Sequence, residues 1–485
     1  MILMRCTPIR CQIQANVRSD FVLTDSSLTP ALSPRRGGII VCQLANRESL
    51  KQPCQTLTCS FSPGEKVRMR ASTNQFAFRF DKPASWKYPD GFIRVVNPVR
   101  YHNLNPPMQS EPTSVYQWLR AGDEIFPAML AAIDAAVQSV RLEIYIFEEC
   151  PLGRDFCEAL VRACGRGVRV RVLVDSIGSL LLPDHFWESL RKAGGEVRWF
   201  NPITLKRATI RNHRKLLVCD ERVAFVGGFN VSPEYEGDGV NDGWWDVGLK
   251  IEGPLAARLA SSFEDMFGRA EFRHRHIIRW REFSAKQAVT LPPEQILFSG
   301  PGRGQSPFTR ALRKDLAGAK DVRLMVAYFL PSWRLRRDLM RVVGHGGRVQ
   351  LILAGKSDIY LSKLAAQSLY RRLLRAGVEI YEYQPQVLHA KLFMVDDAIY
   401  TGSSNLDTRS LQINYELMIR FAGGGIVGQA REIFADTLQH CRRVTREEWR
   451  QSRTFWQRMK QRWAYFLLDR IDPYVARWQW RGLPK

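Results

Sequence analysis

The chain has 485 residues, 45% of them hydrophobic and 25% charged, a globular balance that excludes a low-complexity chain and exceeds what one core usually holds. Lys and Arg outnumber Asp and Glu 71 to 48, and the formal net charge of +23 implies a polyanionic partner, either nucleic acid or an anionic membrane surface. No apolar run is long enough to predict a spanning helix, so any work on membranes is expected to proceed from the surface.

Residues 1–108 are rich in Ser, Thr, Pro, Arg and Cys and carry breakers such as Ser33-Pro34-Arg35-Arg36-Gly37-Gly38. This composition predicts a poorly ordered basic segment. It reads either as a true tail or as sequence upstream of a working start at Met69 or Met108, and no chemistry is assigned to it. The first residues do not form a signal peptide, because Arg5, Arg10 and polar neighbours interrupt any apolar core. Ten cysteines are present without a Cys-x2-Cys pair, so neither a structural zinc site nor an oxidising compartment is implied.

Order is expected from Ser114 onward. Asp123 is placed as the cap of a helix through Phe126, Met129, Leu130 and Ile133. Val140–Phe147 alternates as a strand, a helix follows over 152–164, and Val168–Asp175 is the next strand. That spacing predicts a βαβ unit with a parallel sheet. Cys150, Cys157 and Cys164, spaced by seven, read as one helix face in a core. A helix ending near Gly194-Gly195 and a strand Glu196–Phe200 complete the series.

The first chemical motif comes next: His213-Arg-Lys215-Leu-Leu-Val-Cys-Asp220, followed by the small-residue turn Gly227-Gly228-Phe-Asn230. The rest of the chain replays this order. Val322–Phe329, Gly347–Leu353 and Ala376–Tyr381 answer the earlier strands, and Tyr328 answers Tyr145. The replay ends in His389-Ala-Lys391-Leu-Phe-Met-Val-Asp396 and Gly402-Ser403-Ser404-Asn405. The fold expected is therefore α/β: two tandem copies of an α/β/α domain related by a pseudo-twofold, over 109–285 and 286–440, with the active site at their interface.

Residues 441–485 form a basic C-terminal segment. From Arg442 on, twelve Arg or Lys face four acids, and Trp449, Trp456 and Trp463 recur every seven residues, with Met459 and Phe466 placed on the same face. This describes an amphipathic helix in lipid headgroups or, alternatively, a helix docked on the core with a solvated basic face.

A His and a Lys two apart on a strand point to one face. Two such pairs suit phosphodiester cleavage by covalent catalysis. One imidazole attacks phosphorus while the other protonates the leaving oxygen and then deprotonates the acceptor. Two lysines, helped by Asn230 and Asn405, would hold the non-bridging oxygens, and carboxylates would orient the rings. No metal and no cofactor are expected.

These paired His-x-Lys-x4-Asp motifs resemble the phospholipase D superfamily over about 114–440. The resemblance implies that His213 and His389 are the catalytic pair, with His213 the nucleophile, and that Lys215 and Lys391 bind phosphate. It implies structural support from Asp220 and Asp396, and Asp246 and Glu416 as carboxylate partners of the histidines. The stretches Glu143–Glu148, Phe225–Asn230 and Gly402–Leu411 with Asn414-Tyr415-Glu416 are similar to bacterial cardiolipin synthases, in the branch without N-terminal transmembrane helices. Gly228 departs from that pattern, which often has Ser. The resemblance implies a phosphatidyltransferase acting on phosphatidylglycerol, with phosphatidylethanolamine as a further donor. It implies a peripheral protein on the cytoplasmic face of a bacterial inner membrane. Simple phospholipid hydrolysis and metal-independent DNA cleavage are the alternatives. Nucleic acid is the less favoured polyanion, because the densest basic stretch is also the Trp-rich one.

Overall fold

The computed structural model describes residues 114–202, 210–270, 287–291, 293–301 and 304–471, together with short backbone strands nearer the N-terminus. The chain divides into two compact units, Met1–Gln109 and Ser110–Lys485. In the first, Ile2–Met4 pairs with Ile40–Cys42, and Gln12–Ala15, Thr56–Phe61, Glu65–Ser72 and Gln75–Phe80 form a four-stranded sheet. The expectation of poor order for 1–108 otherwise falls outside the described residues.

The second unit holds two sheets. The first half runs β1 (Val115–Arg120), α1 (Ala121–Ala135), β2 (Ser139–Ile144), α2 (Pro151–Gly165), β3 (Arg169–Asp175), α3 (Glu188–Lys192), β4 (Glu196–Phe200), β5 (Leu216–Cys219), β6 (Val223–Gly227), β7 (Val247–Glu252) and α4 (Pro254–Phe267). Its strands lie in the order β4-β3-β2-β5-β6-β7-β1.

The second half runs β8 (Gln287–Leu291), β9 (Glu294–Ser299), α5 (Pro307–Leu316), β10 (Asp321–Val326), α6 (Trp333–Gly344), β11 (Arg348–Lys356), α7 (Tyr360–Arg375) and β12 (Glu379–Val387). It continues through β13 (Lys391–Val395), β14 (Ala398–Gly402), α8 (Thr408–Gln412), β15 (Glu416–Ala422), α9 (Gly425–Gln439) and β16 (Cys441–Val444). Its sheet, β16-β12-β11-β10-β13-β14-β15-β9-β8, repeats the first order with one added strand at each edge. The duplication read from the motifs is thus also a duplication of topology.

Each sheet is mixed, which corrects the expectation of a parallel one. β2, β3 and β4 run parallel through their helical crossovers, whereas β5, β6, β7 and β1 are antiparallel. The cause is local. Asp220 and Glu221, at φ 53° and 56°, turn β5 straight back into β6, and a tight hairpin can only join antiparallel strands.

Alternation within the strands builds three layers of core. Val140, Leu142 and Ile144 of β2 pack with Phe126 of α1 and Phe156 and Leu160 of α2. Leu324 and Val326 of β10 pack likewise with Leu335 of α6 and Leu373 of α7. Between the sheets, Leu259, Phe263 and Met266 of α4 and Ile433 and Phe434 of α9 join Val218, Ile251, Met325 and Ile399 in one shared core. The two halves are therefore fixed against each other by buried apolar surface, and Phe263, fully enclosed, would cost about 3–5 kcal/mol if truncated to alanine.

Two local expectations are corrected. Asp123 lies inside the first turn of α1; the residue before the helix is Arg120, whose backbone N–H donates to the Glu124 carboxylate at 2.8 Å. On α2, Cys157 is buried and Cys164 half-buried in the helix, while Cys150 caps the N-terminus, its sulfur accepting from Gly153 N–H at 3.3 Å.

Among its described residues the C-terminal segment continues from β16 into two helices, α10 (Arg446–Gln451) and α11 (Phe455–Phe466), and a π-helical turn over Leu467–Ile471. Trp449 belongs to α10 and is buried against Tyr370 of α7, ring centres 4.7 Å apart. It does not share a face with Trp456 and Trp463, which are exposed on α11. The heptad fails because two capping boxes, Thr445 with Glu448 and Thr454 with Gln457, start a separate helix on either side of Ser452. α11 docks through buried Gln461 and Ala464 and turns Phe455, Trp456, Trp463 and Phe466 outward. The docked alternative thus holds for one face of α11, and the opposite face carries the exposed aromatic residues.

Candidate active site

The residues leading into β5 and β13 meet where the two sheets face each other. Parallel bridges pin the crossing twice, Asn212 with Tyr415 and Trp245 with Leu388. His213 N–H donates to Tyr415 O at 3.0 Å, and His389 N–H donates to Trp245 O at 2.7 Å. Each motif is thereby tied to the residue just before a carboxylate of the other half.

The consequence is crosswise pairing. His213 Nδ1 lies 3.2 Å from Oε2 of Glu416, which begins β15 in the second half. His389 Nδ1 lies 2.7 Å from Oδ2 of Asp246, just before β7 in the first half. Both carboxylates are fully buried. With each Nδ1–H donating to its carboxylate, each Nε2 is left to carry chemistry. The His213 side chain is 12% exposed and that of His389 4%, so His213 is the more reachable ring.

The lysines flank these rings. Lys215 Nζ donates to His213 O at 2.9 Å and sits 5.0 Å from the centre of the Tyr145 ring. Lys391 Nζ donates to His389 O and stands 2.7 Å from His389 Nδ1 and 3.1 Å from Nε2. Aromatic rings close the walls. Tyr145 meets His213 edge-on at 4.7 Å, while Tyr235, Trp244 and Tyr328 surround His389 at 5.2, 5.5 and 6.3 Å. The Tyr235 hydroxyl also reaches the His389 nitrogens at 3.2 and 3.3 Å, a contact with no signature in the sequence.

Burial and mutual repulsion set the protonation of these groups. Burial pushes the Lys215 ammonium down to about 7 and Lys391 down to about 8. Burial, reinforced by the neighbouring ammonium groups, also lowers His213 below its ordinary value and His389 further below it. Burial raises the Asp246 carboxyl to about 7, against the pull of Lys391. An entering phosphate anion offsets the repulsion among these groups, so the site is built to accept negative charge.

The remaining motif residues do other things. Asp220 accepts from the N–H groups of Val137, Gln138 and Ser139 at 2.9, 2.7 and 2.9 Å, at the far end of β5 from Lys215. Asp396 does the same for Lys320 and Asp321 at 3.0 and 2.9 Å. Both tie a hairpin to the start of the neighbouring strand. Asn230 accepts from Ile146 N–H at 3.1 Å and donates to the Tyr235 hydroxyl at 2.8 Å, and Asn405 accepts from Tyr328 N–H at 3.4 Å. These asparagine oxygens therefore hold backbone.

A buried network that sequence reasoning missed underpins the first motif. Glu143 pairs with Arg214 at 3.0 Å and accepts from Asn212 Nδ2 at 2.7 Å, while Asp175 accepts from Asn212 N–H at 2.7 Å. A charged residue at an inward position of β2 was the available signal.

Gly228 and Ser403 occupy corresponding turns and meet the carboxylates differently. Ser403 Oγ donates to Glu416 Oε2 at 2.5 Å and accepts from Leu417 N–H at 3.0 Å. A Cβ on Gly228 would stand 2.3 Å from Asp246 Oδ2, so glycine leaves the room Asp246 occupies. Gly228→Ser is expected to push Asp246 off His389 and lower turnover about 100-fold with the fold retained. Steady-state kinetics beside circular dichroism check this; wild-type turnover would contradict it.

Two histidines, two lysines and two carboxylates from duplicated sheets define a phospholipase D-like site. A family model described as "Cardiolipin synthase, PLD-like domain" matches residues 129–269 and 312–438, one stretch in each half. Cardiolipin synthase 1 of Bacillus anthracis is 31% identical over 343 residues, covering 67% of each chain. Cardiolipin synthase B of Salmonella typhi is 35% identical over 312 residues, 62% of this chain and 74% of that one. The crystal structure of phosphatidylserine synthase from Haemophilus influenzae shares the fold at a TM-score of 0.60 and 16% identity, over 74% of this chain and 94% of that one. The chain belongs to the cardiolipin synthase family of phospholipase D-like proteins.

Proposed function

We propose that this enzyme is a phosphatidyltransferase that moves a phosphatidyl group from one phospholipid to the free hydroxyl of phosphatidylglycerol, making cardiolipin and releasing an alcohol. The observation that carries the reading is the crosswise site: two imidazoles, each oriented by a buried carboxylate of the opposite half, beside two buried lysines.

In the first step His389 is an imidazolium, its second proton taken up as the phosphate anion enters among the buried cations; His213 Nε2 attacks phosphorus, and the bond to the leaving alkoxide breaks as His389 Nε2 gives that proton to it. Lys215 and Lys391 hold the non-bridging oxygens as charge develops. In the second step His389 takes the proton from the acceptor hydroxyl, whose oxygen attacks phosphorus and frees His213. Glu416 and Asp246 fix both rings throughout. The first motif's histidine acts as nucleophile in the family resemblance, and its greater exposure supports that assignment.

Purified enzyme on phosphatidylglycerol vesicles is expected to yield cardiolipin and glycerol in equal amounts. Phosphatidic acid with no cardiolipin would replace transfer with hydrolysis, and digestion of plasmid DNA in EDTA would favour a nuclease. The pH profile follows from the lysines. A cationic acid pushed down loses its proton earlier, so kcat/KM should fall as pH rises through about 7 to 8. His213, the nucleophile, is depressed and remains neutral to below 6.5, which puts the acid limb lower still. A profile flat to well above pH 8 would contradict this.

No helix among the described residues is long and apolar enough to cross a membrane. We infer that the enzyme works peripherally on the cytoplasmic face of a bacterial inner membrane, with phosphatidylglycerol and phosphatidylethanolamine as candidate donors. Support comes from the exposed Phe455, Trp456, Trp463 and Phe466 of α11 with Arg458, Lys460 and Arg462 alongside.

A further inference from the structure

Away from the histidines, α7, α10 and α11 enclose a cleft of about 390 Å³ lined by seven arginines and no acid. Six of them come in i,i+4 pairs: Arg371 with Arg375, Arg446 with Arg450, and Arg458 with Arg462. Such spacing puts like charges side by side on a helix, which opposes folding. Three helices nevertheless turn such a pair to the same space. Among the described residues none of these arginines forms an ion pair with an acid. The nearby Glu382 is taken by Arg442 at 3.0 Å and by Gln367 and Tyr370.

The seventh arginine is pre-positioned. Arg453 lies half-buried with its guanidinium 3.8 Å from the centre of the Trp449 ring, and its Nε is buried with no hydrogen-bond partner. A guanidinium held flat against an indole ring suits a phosphate oxygen better than a flexible ammonium does. Seven guanidinium groups favour a phosphate headgroup over an acyl chain. On α11 the arginines border the exposed Trp456, Trp463 and Phe466, and the cleft thereby opens beside an aromatic face suited to the lipid interface.

We propose that this cleft is a second, non-catalytic phospholipid site that clasps the phosphate of an anionic headgroup and holds the enzyme on its membrane. It rests on the reading above that the substrates lie in a membrane. Soluble phosphate compounds share the recognition chemistry, and the test separates the two sources.

The test compares full-length wild type with Arg371→Gln/Arg375→Gln/Arg458→Gln, three exposed side chains with little packing to lose. Its control is Arg169→Gln/Arg222→Gln/Arg258→Gln, an equal charge change on exposed arginines outside the cleft. Sedimentation with phosphatidylcholine vesicles containing phosphatidylglycerol should show the cleft variant binding about 100-fold more weakly and the control within about threefold of wild type. Equal losses in both variants, or none in the cleft variant, would overturn the site. So would diphosphate binding by calorimetry that the cleft variant loses while its vesicle binding stays intact, since the ligand is then soluble. Turnover of dispersed short-chain phosphatidylglycerol reports on the histidine site and should be unchanged in the cleft variant. Absence of that turnover in wild type, with vesicle binding still dependent on the cleft, would remove the proposed activity and leave the cleft standing.

Discussion

Exchanging His213 or His389 for alanine is expected to lower turnover about 10⁴-fold or more, roughly 5 kcal/mol of barrier, and exchanging both should cost little beyond the worse single change. The reason is that the two rings work on one phosphorus atom from opposite sides, so removing either leaves the other without a task. Neither exchange touches the shared core of α4 and α9, and thermal unfolding should stay near wild type. Additive losses in the double variant would mean two independent sites, one in each half, contrary to the crosswise geometry.

The second large effect concerns the carboxylates. Glu416→Gln and Asp246→Asn keep the shape of each side chain but lose the charge that holds the histidine tautomer. Each is expected to lower kcat about 10³- to 10⁴-fold with a small change in KM. The effect should cross the halves: Glu416→Gln should add little to His213→Ala, whereas a carboxylate serving its own half would couple to His389 instead. Double-mutant kinetics distinguish the two. Wild-type kcat in both single variants would remove the carboxylates from the mechanism.

Much of this site is legible in the sequence because its parts are local. Alternation along one strand couples His213 to Lys215 and His389 to Lys391, and the replayed strands announce that the second pair is a copy. The hydrogen bonds of Asp220 and Asp396 to chain neighbours of β2 and β10 are also repeated features of each copy. The crosswise pairing is another matter. Which half supplies a carboxylate depends on bridges between Asn212 and Tyr415 and between Trp245 and Leu388, residues far apart in the chain. Tyr235 reaches His389 through the same crossing, so no spacing reports it. The antiparallel part of each sheet is not legible because the hairpin signal of Asp220 and Glu221, an acidic pair at positive φ, lacks the usual glycine. The tail is hard to read from sequence for a different reason. A seven-residue Trp period suggested one helix, whereas the capping boxes at Thr445 and Thr454 mark two and bury Trp449. The arginine cleft exists only because those two helices fold back on α7, and a linear charge count shows its sign without its place.

The chemistry turns on a covalent intermediate on one named histidine of a two-half site. Phosphatidylglycerol labelled in its phosphate, mixed with enzyme and quenched in the first turnover, should leave label on His213, acid-labile and alkali-stable, and none on His213→Ala. Label on His389 would reverse the assigned roles, and absence of any labelled histidine in an active preparation would contradict the covalent route itself.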